Sequence, residues 1–307
     1  MTFQPFVSAE VEAALGQRYI VGPEIAVGGQ GVVFKATRTS RPDGTTANDV
    51  VALKLHFDSG QAIRVQREVT AMENLSHPTL ARLIEHGCCD VAGRNTRYIA
   101  YELIEGQTLK HRLKSGRLLE SEVLPIGRDV LSAITAIWSQ RIVHGDIKPS
   151  NIMLRDSGGA VLIDLGIASF LEIDAAPRPL RPVPYFAPEK VRAWGTTGYM
   201  SPEQARGLRP LSCASDIFSL GVVMLESIQG WHPTNHDQRA LVDGIRASER
   251  RLTVSPGLVS TLDMMLLAHP PRSRGKLEKL SSYFQMLEQK IEEEFARGAR
   301  APHKADG

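Results

Sequence analysis

His144-Gly145-Asp146-Ile147-Lys148-Pro149-Ser150-Asn151, followed after a short predicted hairpin by Asp164-Leu165-Gly166, is the stretch from which the rest of the chain is read. Asp146 can accept a proton from a hydroxyl, and Lys148 can neutralise a migrating phosphate. Asn151 and Asp164 are oxygen donors suited to Mg2+. Each fragment alone is a weak signal, because Asp-Gly turns are common. The ordered set gains weight because glycines and a strand lysine precede it.

Upstream, Tyr19 to Ala26 and Val32 to Arg38 are β-rich runs flanking Gly28-Gly29-Gln30-Gly31. Glycines at Gly28 and Gly31 would let backbone N–H groups approach phosphates that side chains would obstruct. An ordinary glycine hairpin explains them as well. Lys54 lies in the strand Val50 to Leu55, and a helix over Gln61 to Leu75 places Val65, Val69, Met72 and Leu75 on one face. Glu68 falls within that apolar stripe, where a bare carboxylate is costly, and Lys54 is the candidate partner. The competing reading is a Glu at the edge of the stripe, in water.

Further strands are predicted around Ala81 to Gly87 and Arg97 to Leu103, and helices over Thr108 to Lys114 and Ser121 to Gln140. Ser215 to Ile228 is apolar nearly all round, as in a helix buried inside a lobe. Val259 to Ala268 and Lys276 to Phe295 complete the helices. The fold class expected is α+β, two-lobed. An N-terminal extension (1–18) leads to a small β-rich lobe (19–103) and a larger helical lobe (104–292), and a disordered tail (293–307) ends the chain.

From about Tyr19 to about Leu287 the chain resembles the protein kinase family, most closely its bacterial serine/threonine members. The family's glycine pattern is matched at Gly28, Gly31 and Val33, with Ala26 in place of the first glycine, and Val-Ala-Leu-Lys54 stands for V-A-I-K. The resemblance implies a Lys54–Glu68 ion pair on the ATP phosphates, Asp146 as catalytic base, Lys148 beside the transferred phosphate, and Asn151 and Asp164 as Mg2+ ligands. It makes Val33, Ala52 and Met153 the residues that sandwich adenine, Glu102 to Ile104 the hinge, and Tyr101 a bulky gatekeeper. Gly195-Thr196-Thr197-Gly198-Tyr199-Met200-Ser201-Pro202-Glu203 resembles the peptide-positioning segment. Thr196 would then bond Asp146 and Lys148, Glu203 would pair with Arg274, and Asp216 would brace the catalytic loop.

The activity so implied is transfer of the γ-phosphoryl group of ATP, with Mg2+ (or Mn2+), to Ser or Thr hydroxyls of protein substrates. Two other classes remain open. One is a pseudokinase-like nucleotide-binding scaffold that regulates a partner, suggested by Ala26 and Gly145. The other is a small-molecule phosphotransferase, which would not need the Thr196 to Glu203 segment. Gly145 stands where most members have an Arg that anchors a phosphate on the activation loop, so the chain is of the non-RD type. Loop phosphorylation is therefore not expected to be required. Pro184 to Glu189 is a second A-P-E look-alike, and Arg178 to Pro188 reads as a proline-rich insertion. That insertion is either a stiff solvated loop or a contact for a regulatory partner protein.

Composition excludes other classes. The 307 residues are 42% hydrophobic, enough for a substantial core, and 36 Lys+Arg against 34 Asp+Glu leave a formal charge of +2. No global field points to nucleic acid or a membrane. Three cysteines form neither a disulfide framework nor a spaced metal site. Cys88 and Cys89 are expected to be buried as small apolar groups. The N-terminus lacks the apolar core of a signal peptide, so a cytoplasmic setting is expected.

Overall fold

The computed structural model describes residues 6–28, 31–41, 43–57, 62–73, 75–165, 169–170, 195–207, 211–232, 244, 246, 254–266 and 277–299. Gly29, Gln30, Gly166, the Arg178 to Pro188 segment, the Pro184 to Glu189 look-alike and Arg274 lie outside them. The chain divides into two units, one of residues 1–106 with 163–168 and one of residues 107–162 with 169–307. The first is β-rich and the second helical, the α+β fold class expected. The division falls at Gly106, three residues beyond the predicted boundary, and Ile163–Ala168 returns to the first unit.

The first unit opens with helix α1 (Ser8–Leu15), then strands β1 (Tyr19–Gly28), β2 (Gly31–Ser40) and β3 (Thr46–His56), helix α2 (Ala62–Glu73), and strands β4 (Leu83–Val91) and β5 (Arg94–Glu102). The sheet is antiparallel throughout, in the order β1-β2-β3-β5-β4. Strand side chains alternate between faces, and the sequence uses both. Val51, Leu53 and Leu55 join Val32, Phe34, Ala36, Tyr98 and Ala100 in one core, with Phe6, Val11 and Leu15. The residues expected to be a mere extension therefore help cover one face of the sheet. Ile99 and Tyr101, on the alternate face of β5, pack with Val65 and Val69 of α2.

The expected burial of the Cys88-Cys89 pair is corrected here. Cys88 is exposed and Cys89 only partly buried, because β4 alternates and turns Cys88 outward. Glu85 on the same strand is buried instead, held by Arg38 Nη1 (3.4 Å) and the Tyr98 hydroxyl (2.9 Å).

The second unit contains β6 (Gly106–Thr108), α3 (Leu109–Leu113), α4 (Glu120–Ser139), β7 (Ile142–Val143), β8 (Ile152–Arg155), β9 (Ala160–Leu162), β10 (Ser169–Phe170), α5 (Pro202–Ala205), α6 (Cys213–Gln229), α7 (Pro256–Leu266) and α8 (Leu277–Ala299). The strands form two small sheets, β6-β8-β9 and β10-β7. Helix α4 buries Val123, Leu124, Val130, Leu131, Ile134 and Ile137, a stripe of helical period, against α6 and α8. Gly127 makes this packing close, since a Cβ there would lie 2.6 Å from Phe284 and 2.9 Å from Met224. Helix α6 is buried nearly all round, as its sequence implied, and ends at Gly230, whose φ of 79° suits a glycine cap.

Helix α8 runs to Ala299, so the disordered tail expected from residue 293 does not begin there. Glu, Arg and Ala are good helix formers and carry the helix past residue 293. No helix among the described residues is long and apolar enough to cross a membrane.

Candidate active site

In the first unit, strand alternation sets Lys54 and His56 on the face opposite Leu53 and Leu55. Glu68, on the inner face of α2, is fully buried. Lys54 Nζ donates to Glu68 Oε1 at 2.9 Å, to Glu68 Oε2 at 3.1 Å and to Asp164 Oδ1 at 3.0 Å. The Tyr101 hydroxyl donates to Glu68 Oε1 as well. Burial opposes the charge on Lys54, but Asp164 and then Glu68 outweigh it and hold its pKa above the ordinary lysine value. For Glu68 burial dominates and raises the pKa, against the pull of Lys54. The edge-of-stripe alternative for Glu68 is thereby set aside. Asp164 has φ 66°, a left-handed conformation that few non-glycine residues adopt, although Asp tolerates it better than most.

His56 was not anticipated. It is buried, its Nε2 lies 4.0 Å from Glu68 Oε2, and neither ring nitrogen has a hydrogen-bond partner among the described residues. Burial, and then the Lys54 charge, push its pKa down to about 3 from 6.5. A depressed folded-state pKa contributes stability that is complete above the unfolded value and is lost as pH falls toward the folded one. Below pH 6.5 this group should remove about 1.4 kcal/mol of stability per pH unit. Urea denaturation at pH 7 and pH 5 should show wild type losing about 2 kcal/mol more than His56→Leu. Equal losses would contradict a neutral, buried His56.

The glycines separate into two kinds. A Cβ on Gly31 would lie 2.0 Å from Leu55 O, so strand packing alone requires glycine there. Gly28, its partner across the hairpin, has nothing within 4 Å of a Cβ and keeps an open backbone. Val33 pairs with Lys54 and with Ala26, and Ala52 with Lys35 and Tyr101. Glu102 N–H donates to Arg82 O at 2.9 Å, and Ile104 is buried.

In the second unit, β7 delivers His144 to Lys148. Asp216, in the first turn of α6 and buried, accepts from His144 N–H at 2.9 Å and Gly145 N–H at 2.8 Å. Gly145 takes φ 76°, and its carbonyl accepts from Gln204 Nε2 at 2.6 Å. The backbone leading into Asp146 is thus fixed at His144 and Gly145. Asp146 Oδ1 accepts from Thr196 N–H (2.9 Å) and Thr196 Oγ1 (2.7 Å), and Oδ2 accepts from Lys148 Nζ (2.7 Å). Lys148 also donates to Thr196 Oγ1 at 2.8 Å. Asn151 Nδ2 donates to Asp146 O at 2.9 Å, which commits its amide nitrogen inward and leaves Oδ1 as the atom that could accept a cation. Met153 lies on β8, partly buried.

Gly195 and Gly198 hold the Thr196 turn. Their φ values are 140° and 116°, and a Cβ would lie 2.6 Å from Gln204 and 2.8 Å from His232 respectively. Glu203 is buried and accepts from Ser215 Oγ at 2.8 Å. Its expected partner Arg274 lies outside the described residues. Tyr199, also unanticipated, donates its hydroxyl to Glu226 at 2.7 Å, and Ser219 Oγ donates to its carbonyl at 2.7 Å. Tyr199 lies within the segment quoted from the sequence and Gln204 directly follows it, but their partners on α6 and Gly145 are distant in the chain.

The Lys–Glu–Asp set of one unit and the Asp–Lys–Thr–Asn set of the other are the constellations by which the sequence resembles the protein kinases. Residues 19–280 match the family model described as the protein kinase domain, and the chain belongs to that family. Among curated proteins it is 29% identical over 234 residues to the probable serine/threonine-protein kinase PknB of Lactococcus lactis, covering 76% of this chain and 35% of that protein. It is 32% identical to a probable serine/threonine-protein kinase of Clostridium perfringens over 283 residues, 87% of this chain and 38% of the relative. With the serine/threonine-protein kinase PknA of Mycobacterium tuberculosis it shares 34% identity over 233 residues, 74% of this chain and 50% of the relative. The chain spans about a third to a half of the length of these relatives.

Proposed function

We propose that this chain transfers the γ-phosphoryl group of ATP to Ser or Thr hydroxyls of protein substrates. The observation that carries this reading is the triangle of Asp146, Lys148 and Thr196. It sets a proton acceptor, a cation and a backbone turn from the peptide-positioning segment on one another at 2.7–2.9 Å. Asp146 takes the proton of the substrate hydroxyl, and Lys148 stands by the phosphoryl group in transfer. Thr196, joined to both, holds the acceptor segment in register with them. Lys54, fixed by Glu68, neutralises phosphate oxygens of the nucleotide. Gly28 and Gly31 border the flap over those phosphates, Val33, Ala52 and Met153 hold the adenine, and Glu102 and Ile104 meet its edge. The names of the relatives support the Ser/Thr assignment.

The donor chemistry fits Mg2+. Asp164 brings a carboxylate and Asn151 an amide oxygen, both hard ligands, and Mg2+ characteristically takes one or two carboxylates with phosphates and water. When bound, Mg2+ (or Mn2+) would neutralise charge on the phosphates. Among the described residues no group of three or more His, Cys, Asp and Glu is arranged as a self-sufficient metal cage.

Labelled ATP offered with a generic basic protein and a panel of small alcohols tests the assignment. Label should enter protein Ser and Thr. Label in the alcohols would favour a small-molecule phosphotransferase, and nucleotide binding with no transfer a scaffold. Because Gly145 supplies no guanidinium, activity should also be independent of activation-loop phosphate, with the Arg178 to Pro188 segment contacted by a regulatory partner. Phosphatase-treated and untreated enzyme should turn over equally. Loss of activity on treatment, restored by autophosphorylation, would show another cation in the missing Arg's place.

A further inference from the structure

We propose that the Tyr101 hydroxyl is a positioning group for phosphoryl transfer, holding Glu68 in place when Lys54 turns to a phosphate; this rests on the kinase reading above. An ammonium carries three protons, and all three of Lys54 are engaged by carboxylate oxygens, two of Glu68 and one of Asp164, at 2.9–3.1 Å. Lys54 can give one proton to a phosphate oxygen by releasing Asp164, but can give two only by releasing an oxygen of Glu68 as well. The Glu68 carboxylate is fully buried, so it then depends on its remaining partners.

His56 cannot serve. It is neutral at working pH, and its Nε2 stands 4.0 Å from Glu68 Oε2. Tyr101 can. Its ring packs with Ile99, Val65 and Val69 between β5 and α2, and its hydroxyl donates to Glu68 Oε1. Burial, and then the Glu68 charge, raise its pKa well above the ordinary tyrosine value, so the donor proton is kept. The residue thus tethers α2 to β5 by a neutral bond that does not compete with the phosphates for positive charge. A gatekeeper's bulk alone would require only a ring; the geometry assigns a role to its oxygen.

The experiment uses the full chain with Tyr101→Phe and Tyr101→Met, each in wild-type and Glu68→Ala backgrounds, with kcat and the KM for ATP measured separately. Tyr101→Phe keeps the ring and should lower kcat about tenfold with little change in KM. Tyr101→Met should fall at least as far. In the Glu68→Ala background Tyr101→Phe should have almost no effect, because the partner through which it acts is gone. Amide hydrogen exchange provides a readout independent of turnover: with a non-hydrolysable ATP analogue bound, α2 should exchange faster in Tyr101→Phe than in wild type. Wild-type kcat and α2 exchange in Tyr101→Phe, or the same loss of kcat in both backgrounds, would overturn the inference and leave the kinase reading standing. Absence of transfer by the wild-type chain to any acceptor would overturn that reading itself and the inference with it.

Discussion

Lys54→Met should be both inactive and markedly less stable, a combination that separates a buried ion pair from a surface lysine. Removing the ammonium leaves the fully buried Glu68 with the Tyr101 hydroxyl as its remaining side-chain hydrogen bond among the described residues, and takes a cation from Asp164. Breaking such a pair by removing one partner costs about 3–5 kcal/mol. Glu68→Gln should be milder in stability, because Lys54 keeps Asp164 and the amide keeps an acceptor for Tyr101. Its activity should still fall, since a neutral amide positions the ammonium less firmly. Urea denaturation at pH 7 reads the first quantity and phosphoryl transfer the second. A Lys54→Met variant that unfolds at the wild-type midpoint would show that Glu68 is not held in this arrangement at rest.

Asp146→Asn and Asp164→Asn should each nearly abolish turnover while remaining folded, for different reasons. Loss of a positioned general base lowers rates by roughly 10²–10⁴-fold. Asp146→Asn should therefore retain nucleotide binding, since Asp146 touches Thr196, Lys148 and Asn151, all in the second unit. Asparagine is the informative replacement at Asp164, because it tolerates the left-handed φ of 66° where alanine would add strain. Stability should change little, for Lys54 keeps Glu68 and a single carboxylate balances a single ammonium. Thermal shifts should separate the two. Asp146→Asn is stabilised by Mg-ATP like wild type, whereas Asp164→Asn loses the Mg-dependent increment. Wild-type turnover in either would contradict the assignment.

Much of this site was legible in the sequence because its parts are local. Asp146, Lys148 and Asn151 sit within six residues, and the β8–β9 hairpin that follows ends just before Asp164. Glu68 was found by its place in the apolar stripe of α2, and the buried partner it demanded is Lys54. The Thr196 contacts came from resemblance alone, and the geometry brings the three residues together.

The unread features depend on which face a side chain takes, or on partners far apart in the chain. Tyr101 was visible as a bulky residue, but its bond to Glu68 depends on β5 lying against α2. His56 follows the strand predicted to end at Leu55 and carries no signal there; burial on the face of Lys54 makes it an uncharged neighbour of the pair. The role of the N-terminal segment was hidden because Phe6, Val11 and Leu15 make too short a stripe to identify the sheet they help cover. At Gly31 a motif position proved to be a packing position too, set by the carbonyl of Leu55.

The most direct measurement is mass spectrometry of a basic protein acceptor after reaction with Mg2+ and ATP isotopically labelled at the γ-phosphate, with wild type and Asp146→Asn compared. The isotope should appear on Ser and Thr side chains with wild type, be almost absent with Asp146→Asn, and vanish for both on chelation of the metal. Equal labelling by the two proteins, or nucleotide binding by wild type with no labelled Ser or Thr, would contradict phosphoryl transfer at Asp146.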